Sequence, residues 1–320
     1  SPPSGRPDQV CKSIFEKFFS SEYVFHLADG RNLSDVIRLD FAEVKDSLDQ
    51  MALNTSASQM SVWEVLRRYC DSPWNELFVD LDADTGDLVL RLRPTPFNLH
   101  DWNVLKNKKG WGFDYDASTD RVGMETLLND EDQVFSFFMC NAGSALAGIQ
   151  NSTIQSKNTN GKLPIYDREL IERYGFKALE KDTEYIQILN EAGATTSALS
   201  IPQKKDYNTD QSDLVAMLQK RTATLYLWFG FDEFQRGSFE MVGRIGQDPH
   251  YGIRCGGVMT RKRDGLELYI TEVNQSWTME SNHWHTSVTV ERGHYPDDYR
   301  AWVRKQITNR GLESVLEIDT

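Results

Sequence analysis

At 320 residues, with 39% apolar and 26% charged side chains, the chain is long enough for two or three domains and too rich in aromatics for disorder. A formal net charge of −13, from 48 acidic against 35 basic residues, argues against general phosphate binding, since no basic arm or stripe is present. No apolar run approaches the ~18 residues of a membrane span. The four cysteines (Cys11, Cys70, Cys140, Cys255) stand far apart without a CxxC pair, which favours reduced core thiols over a disulfide.

The chain opens SPPSGRP without Met, as a processed product or fragment would, and no signal peptide precedes the first helix. That helix is expected from Asp8 to Phe19, where Val10, Cys11, Ile14, Phe15, Phe18 and Phe19 share one face and Asp8 is a cap. A second helix, Ser61 to Cys70, repeats the pattern and stops before Pro73. Two strands follow, Glu76 to Leu81 and Asp87 to Pro94, around the turn Asp82 to Gly86. In the second strand Leu88, Leu90 and Leu92 face one way and Val89, Arg91 and Arg93 the other, which predicts a half-buried hairpin lying on the preceding helix.

Residues 133–140 read as a buried strand, leading into a long polar loop rich in Gly, Ser and Asn. A short helix over 167–178 should end at Tyr174-Gly175, with Gly175 as its stop. A long helix from Asp213 to Phe229 ends at Gly230. From Ser238 to Arg292 the period changes to two, giving four antiparallel strands and, with so many glycines, a small barrel. An amphipathic helix over Asp297 to Asn309 closes the chain. The fold class is therefore α+β: a helix-plus-hairpin domain (1–125), a split β-barrel domain (126–293) with a helical insertion at about 141–235, and a C-terminal helix and tail (294–320).

Few residues propose chemistry. Asp80, Asp82 and Asp84 alternate as in an EF-hand, but the glycine comes one place late and Arg91 stands where the twelfth-position Glu belongs, so a solvated acidic turn is favoured. His283 and His285 share one face of a strand and could hold zinc, with His250 or His294 as recruits. The competing reading, which is favoured, makes them outer-face polar positions around an inward Trp284. No GxSxG, HExxH or activated Cys motif is present, and no spacing selects a carboxylate pair. No catalytic residue, cofactor site or metal site is assigned.

Taken in order, however, the motifs resemble the phage tail baseplate hub family, related to late control protein D and to the hub part of type VI secretion spikes. A helix runs into Trp74, Asn75, Glu76, Leu77 and Phe78, similar to the family's (F/W)NE(L/F)F hairpin. Its LRPTPF strand end resembles Leu92, Arg93, Pro94, Thr95, Pro96 and Phe97, and its RYG element resembles Arg173, Tyr174 and Gly175. LYITEVNQSW and HTSVTVERG resemble its closing strands, with Thr286, Val288, Val290, Arg292 and Gly293 matching, Ser287 replacing a Thr, and Asn274 and Gln275 where a His is frequent. The matches span residues 60–293, while the tube-like β-domain with which family hubs begin is not found in 1–60.

The resemblance implies a virion structural protein and not an enzyme: a homotrimer joining the tail tube to the central spike, with two barrel-like modules per chain. It implies assembly in the bacterial host cytoplasm, no membrane anchor, and genomic DNA passing through without specific binding. An acidic or neutral lumen is then expected, with Arg261-Lys262-Arg263 turned towards protein partners. The hairpin becomes a structural corner and subunit contact, its prolines removing amide donors. Two other readings stay open: a tail-tip cell-wall hydrolase using an unrecognised carboxylate pair, and a carbohydrate- or receptor-binding module with Trp277 and Trp284 as stacking platforms.

Overall fold

The structure, a computed structural model, describes residues 6–19, 28–32, 35–42, 51–52, 60–82, 87–97, 99–129, 134–142, 164–183, 185–186, 218–230, 235–242, 253–279 and 283–294. The expected helix over 297–309 and the polar loop after residue 142 lie outside these.

Helix α1 (Pro7–Phe19) turns Val10, Cys11, Ile14 and Phe15 inward, the face that its 3.6-residue period selects. Strand β1 (Ile37–Phe41) and the short β2 (Met51–Ala52) come next. Helix α2 (Val62–Tyr69) begins on a capping box: the Ser61 side chain accepts from the Glu64 amide while the Glu64 carboxylate accepts from the Ser61 amide. Strands β3 (Asn75–Leu81) and β4 (Leu88–Pro94) form the expected hairpin, and β1 adds to β4 in parallel to give the order β1-β4-β3. One face of this sheet supports α1 and α2 through an aliphatic core of Val10, Ile14, Val65, Leu66, Leu90 and Leu92.

The hairpin is not half-buried, as its alternation predicted. Val89 and Arg91, on the face opposite Leu90 and Leu92, are 0% and 9% exposed. A second layer covers them.

That layer begins with α3 (Leu99–Asn107), β5 (Gly112–Tyr115) and β6 (Arg121–Asn129). Strand β7 (Phe137–Ala142), the short β8 (Ile165–Tyr166), helix α4 (Arg168–Tyr174) and β9 (Ala178–Thr183) follow, then β10 (Tyr185–Ile186), which pairs with β2. Helix α4 stops at Tyr174, where the sequence places its end. Gly175 at φ 81° ends it, with its amide donating to Ile171 O at 2.9 Å. The long helix is described as α5 (218–229), ending at Gly230. Strands β11 (Gln235–Val242), β12 (Val258–Arg261), β13 (Leu266–Thr278) and β14 (His283–His294) are the four strands expected after residue 238.

These four do not make a barrel. Two upstream strands join them in an open sheet of order β5-β12-β13-β14-β11-β6. Strands β5 and β6 are its two ends although only residues 116–120 separate them, so the sheet curls strongly. Side chains occupy the seam: the rings of Tyr115 and Phe239 meet edge to face at 5.0 Å, and Arg261 reaches Glu125 at 2.7 Å. Among the described residues no sheet closes. The expected domain boundary at 125/126 falls inside β6, whose pairing with β11 ties 121–129 to the later segment. The strand expected at 133–140 belongs to a separate three-stranded sheet, β8-β7-β9, backed by α5. Residues 141–235 therefore carry strands as well as helices.

Candidate functional site

The residues that carry the motifs converge where the hairpin meets the six-stranded sheet. Strand β4 sends Arg93 into this joint. Its guanidinium donates to the Glu76 carboxylate and to Gly256 O, lies 3.4 Å from Tyr269 Oη, and stacks on Trp111 at 4.3 Å and Phe78 at 5.3 Å. Tyr269 in turn donates its phenol proton to Glu76. Gly256 is required at this contact: its φ is 77°, and a Cβ there would stand 2.6 Å from the Arg93 Nη2.

Three further arginines repeat the arrangement. Arg91 donates to Asp80 at 2.8 Å and to Asp40, and lies over Trp111 at 5.3 Å. Arg221 on α5 pairs with Asp71 and lies 4.6 Å from the Trp74 ring, whose Nε1 donates back to Arg221 O at 3.3 Å. Asp71 holds a positive φ of 64° just after α2, and its carboxylate also accepts from Thr183 at 2.9 Å. Arg292 on β14, at φ 60°, lies 3.3 Å above Trp228 and donates to Leu227 O at 3.0 Å. It thereby meets a carbonyl in the last turn of α5, where a cation is favoured. Each arginine-on-indole contact is worth roughly 0.5–2 kcal/mol.

Burial sets the electrostatics. Glu76 is pushed above the usual carboxylate range by burial, with Arg93 and the Tyr269 hydrogen bond opposing. Burial, then Glu76, drives Tyr269 well above the usual phenol range. Burial pulls Arg93 down, but Glu76 and Tyr269 outweigh it, so Arg93 stays charged. A cleft of about 300 Å³ opens beside this cluster, lined by Glu76, Tyr269, Cys255, Phe229, Thr271 and Glu291 among others. Burial raises Glu291 as well, against Arg292 and Arg236, and lifts the Cys255 thiol to about 12. That thiol donates to Thr271 O at 3.0 Å and is a poor nucleophile there.

Of the residues picked from sequence, Trp74, Phe78, Arg93, Phe97 and Arg292 gather in the joint. Phe97 is 6% exposed, its ring edge-on to Trp228 at 5.1 Å. Asn75 is buried and donates to Cys70 O at 2.8 Å, tying the hairpin's start to the end of α2. Pro94 is exposed and Pro96 buried, with Thr95 between them donating to Trp74 O and Pro73 O. Gly293 is buried and pairs with Gln235. Tyr174 and Gly175 are not in the joint; Gly175 O accepts from Ser136 at 2.9 Å and Tyr174 lies under Arg173. Trp284 pairs in register with Trp277, and its side chain, like that of His283, lies outside the described residues.

Asp80 and Asp82 face arginines, Arg91 and Arg38, instead of forming a cation cage. Arg261 does not turn towards partners: it is 7% exposed and bound by Glu125 and Asp264, leaving Lys262 and Arg263 at the surface. Among the described residues no group of three His, Cys, Asp or Glu could hold a metal ion. Sequence reasoning missed Asp71, Arg221, Trp102, Trp111, Trp228 and Tyr269. The pairing of Asp71 with Arg221 crosses 150 positions, and no local pattern signals it. Comparison of the chain with known families found no matching family model, and comparison with curated proteins found no match.

Proposed function

We propose that the chain is a ring-forming, trimeric structural subunit of a phage tail baseplate hub, or of a related contractile injection machine, joining tail tube to central spike. One observation carries this reading. The residues with which the chain resembles hub proteins lie in one buried joint: Glu76, Phe78 and Arg93 hold one another, Phe97 and Arg292 pack on Trp228, and Trp74 packs on Arg221. An adaptor under tension needs two layers held at a fixed angle, and charged groups on indole faces resist sliding in a way that aliphatic contacts do not. On this reading the hub works in the virion tail baseplate, its partners are tube, spike and neighbouring copies, and DNA passes through without specific binding. The mass of the purified chain by sedimentation, with negative-stain images, tests it: trimeric rings are expected, and a monomer at all concentrations contradicts it.

The cleft favours a second reading, a cell-wall hydrolase. Glu76 and Glu291 line it, and burial raises both carboxyls as an acid catalyst requires. Glu76, however, is already held by Arg93 and Tyr269. A turbidity assay on purified cell walls separates the readings: clearing by the parent that is lost in Glu291→Gln supports the hydrolase, and no clearing supports the hub.

A further inference from the structure

The cleft beside the joint is walled by three parts of the fold. The hairpin side gives Cys70 and Glu76, the six-stranded sheet gives Tyr269, Thr271 and Glu291, and the last turn of α5 gives Phe229. At about 300 Å³ it stands at the small end of ligand pockets, with room for one ring and not for a chain.

The direction of the wall's protons decides what can enter. Tyr269 donates to Glu76, Thr271 to Thr289 O at 3.2 Å, Cys255 to Thr271 O at 3.0 Å, and Cys70 to Arg67 O at 3.0 Å. Each of these groups has a single proton, so what it turns to the cleft is lone pairs. Glu76 spends one oxygen on Arg93 and the other on Tyr269. Glu291 stands opposite Tyr269 in register, and among the described residues its carboxyl makes no hydrogen bond or ion pair. A half-buried carboxyl of this kind is costly until something donates to it.

Three classes of ligand fit this wall badly. An anion would meet lone pairs and two carboxyls. A cation would meet a surplus of guanidinium groups: Arg93 stands behind Glu76, Arg292 follows Glu291, Arg67 lines the rim, and Arg236 acts on Glu291 from the surface. A wholly apolar ligand would leave Glu291 without a donor. What remains is a neutral molecule with several hydroxyl protons and one apolar face. Phe229 suits that face, since its half-buried ring is held edge to face by Phe135 at 6.1 Å.

We propose that the cleft binds one neutral sugar ring, with its C–H face on Phe229 and its hydroxyls donating to the Glu291 carboxyl. This goes beyond the ring-forming reading and needs no bond cleavage, so it stands apart from both readings above.

Calorimetric titration of the purified chain with free glucose, galactose, mannose and N-acetylglucosamine, each at millimolar concentration, tests it. At least one should bind. Glu291→Gln should weaken that sugar roughly tenfold, the loss of a hydrogen bond to a charged acceptor. Phe229→Leu, which keeps apolar bulk without a ring face, should weaken it severalfold. Thermal melting of each variant separates loss of the site from loss of the fold. Binding of none of the four sugars overturns the proposal, as does undiminished binding by either variant or displacement of the sugar by inorganic phosphate or propylamine. Sedimentation decides the ring and wall clearing decides cleavage; neither measures sugar uptake, so the failures are told apart.

Discussion

The two faces of strand β4 solve the same packing problem with different chemistry. Leu90 and Leu92 enter the core beneath α1 and α2, where the neighbours are Val, Ile, Leu and Phe side chains. Arg91 and Arg93 enter the joint, where the neighbours are indole rings and carboxylates. Burial of an aliphatic side chain stabilises in proportion to area and tolerates volume-conserving exchange. A buried guanidinium must find every partner, since a lone buried charge costs several kcal/mol. The first face therefore supplies bulk stability, and the second fixes how two layers sit on each other.

The largest effect that separates these faces should come from Arg93→Met. It leaves Glu76 buried without its cation, and a loss of about 3–5 kcal/mol is expected in denaturant unfolding. Leu92→Ala, on the other face, removes well-packed methyl groups and should cost ~2–5 kcal/mol, whereas Leu92→Met should cost under about 1.5 kcal/mol. A cheap Arg93→Lys would blur the comparison, because lysine cannot reproduce the fork or the stacking.

Next in size is Arg292. Arg292→Ala removes the stack on Trp228 and the contact with α5 yet keeps an L-residue at φ 60°, so about 3 kcal/mol should be lost. Arg292→Gly should do better than Ala by roughly 1 kcal/mol, because glycine adopts that backbone freely. Equal losses would mean that the positive φ carries no strain. Ser61→Ala, which breaks the capping box of α2 on the aliphatic side, should cost only about 1 kcal/mol by thermal melting.

The smallest effect is electrostatic. Burial raises Glu291 above its ordinary 4.5. A raised carboxyl favours folding while protonated, so its contribution is complete below about 4.5 and is lost as pH rises through the folded-state value. The stability of the parent minus that of Glu291→Gln should therefore fall as pH rises from 4.5. A difference that grows with pH would show a carboxylate stabilised by Arg292 and Arg236 instead.

Local signals were legible in the sequence and distant ones were not. The helix from Ser61, the hairpin, the stop at Gly175 and the four strands after residue 238 all rest on patterns a few residues long, and they stand close to where those patterns put them. The arginine face of β4 reads as solvent-facing in the sequence, because charge at period two ordinarily means water. What covers it, Trp111, Gly256 and Tyr269, lies outside the hairpin, the last of these 176 positions from Arg93. The barrel was expected because four glycine-rich strands suggest closure. The open six-stranded sheet has no local signal, because GFDY at β5 is too short to read as a strand and its parallel pairing with β12 crosses about 146 positions, Gly112 to Val258.

The central claim is that the motif is a joint made by coupled charges, and a double-mutant cycle on Glu76 and Arg93 tests it most directly. Unfolding free energies would be measured for the parent, Glu76→Leu, Arg93→Met and the double variant. Each single change strands a buried charge, so the double variant should be more stable than the sum of the single losses by ~1.5–3 kcal/mol. Losses that simply add, within about 0.5 kcal/mol, would contradict the joint.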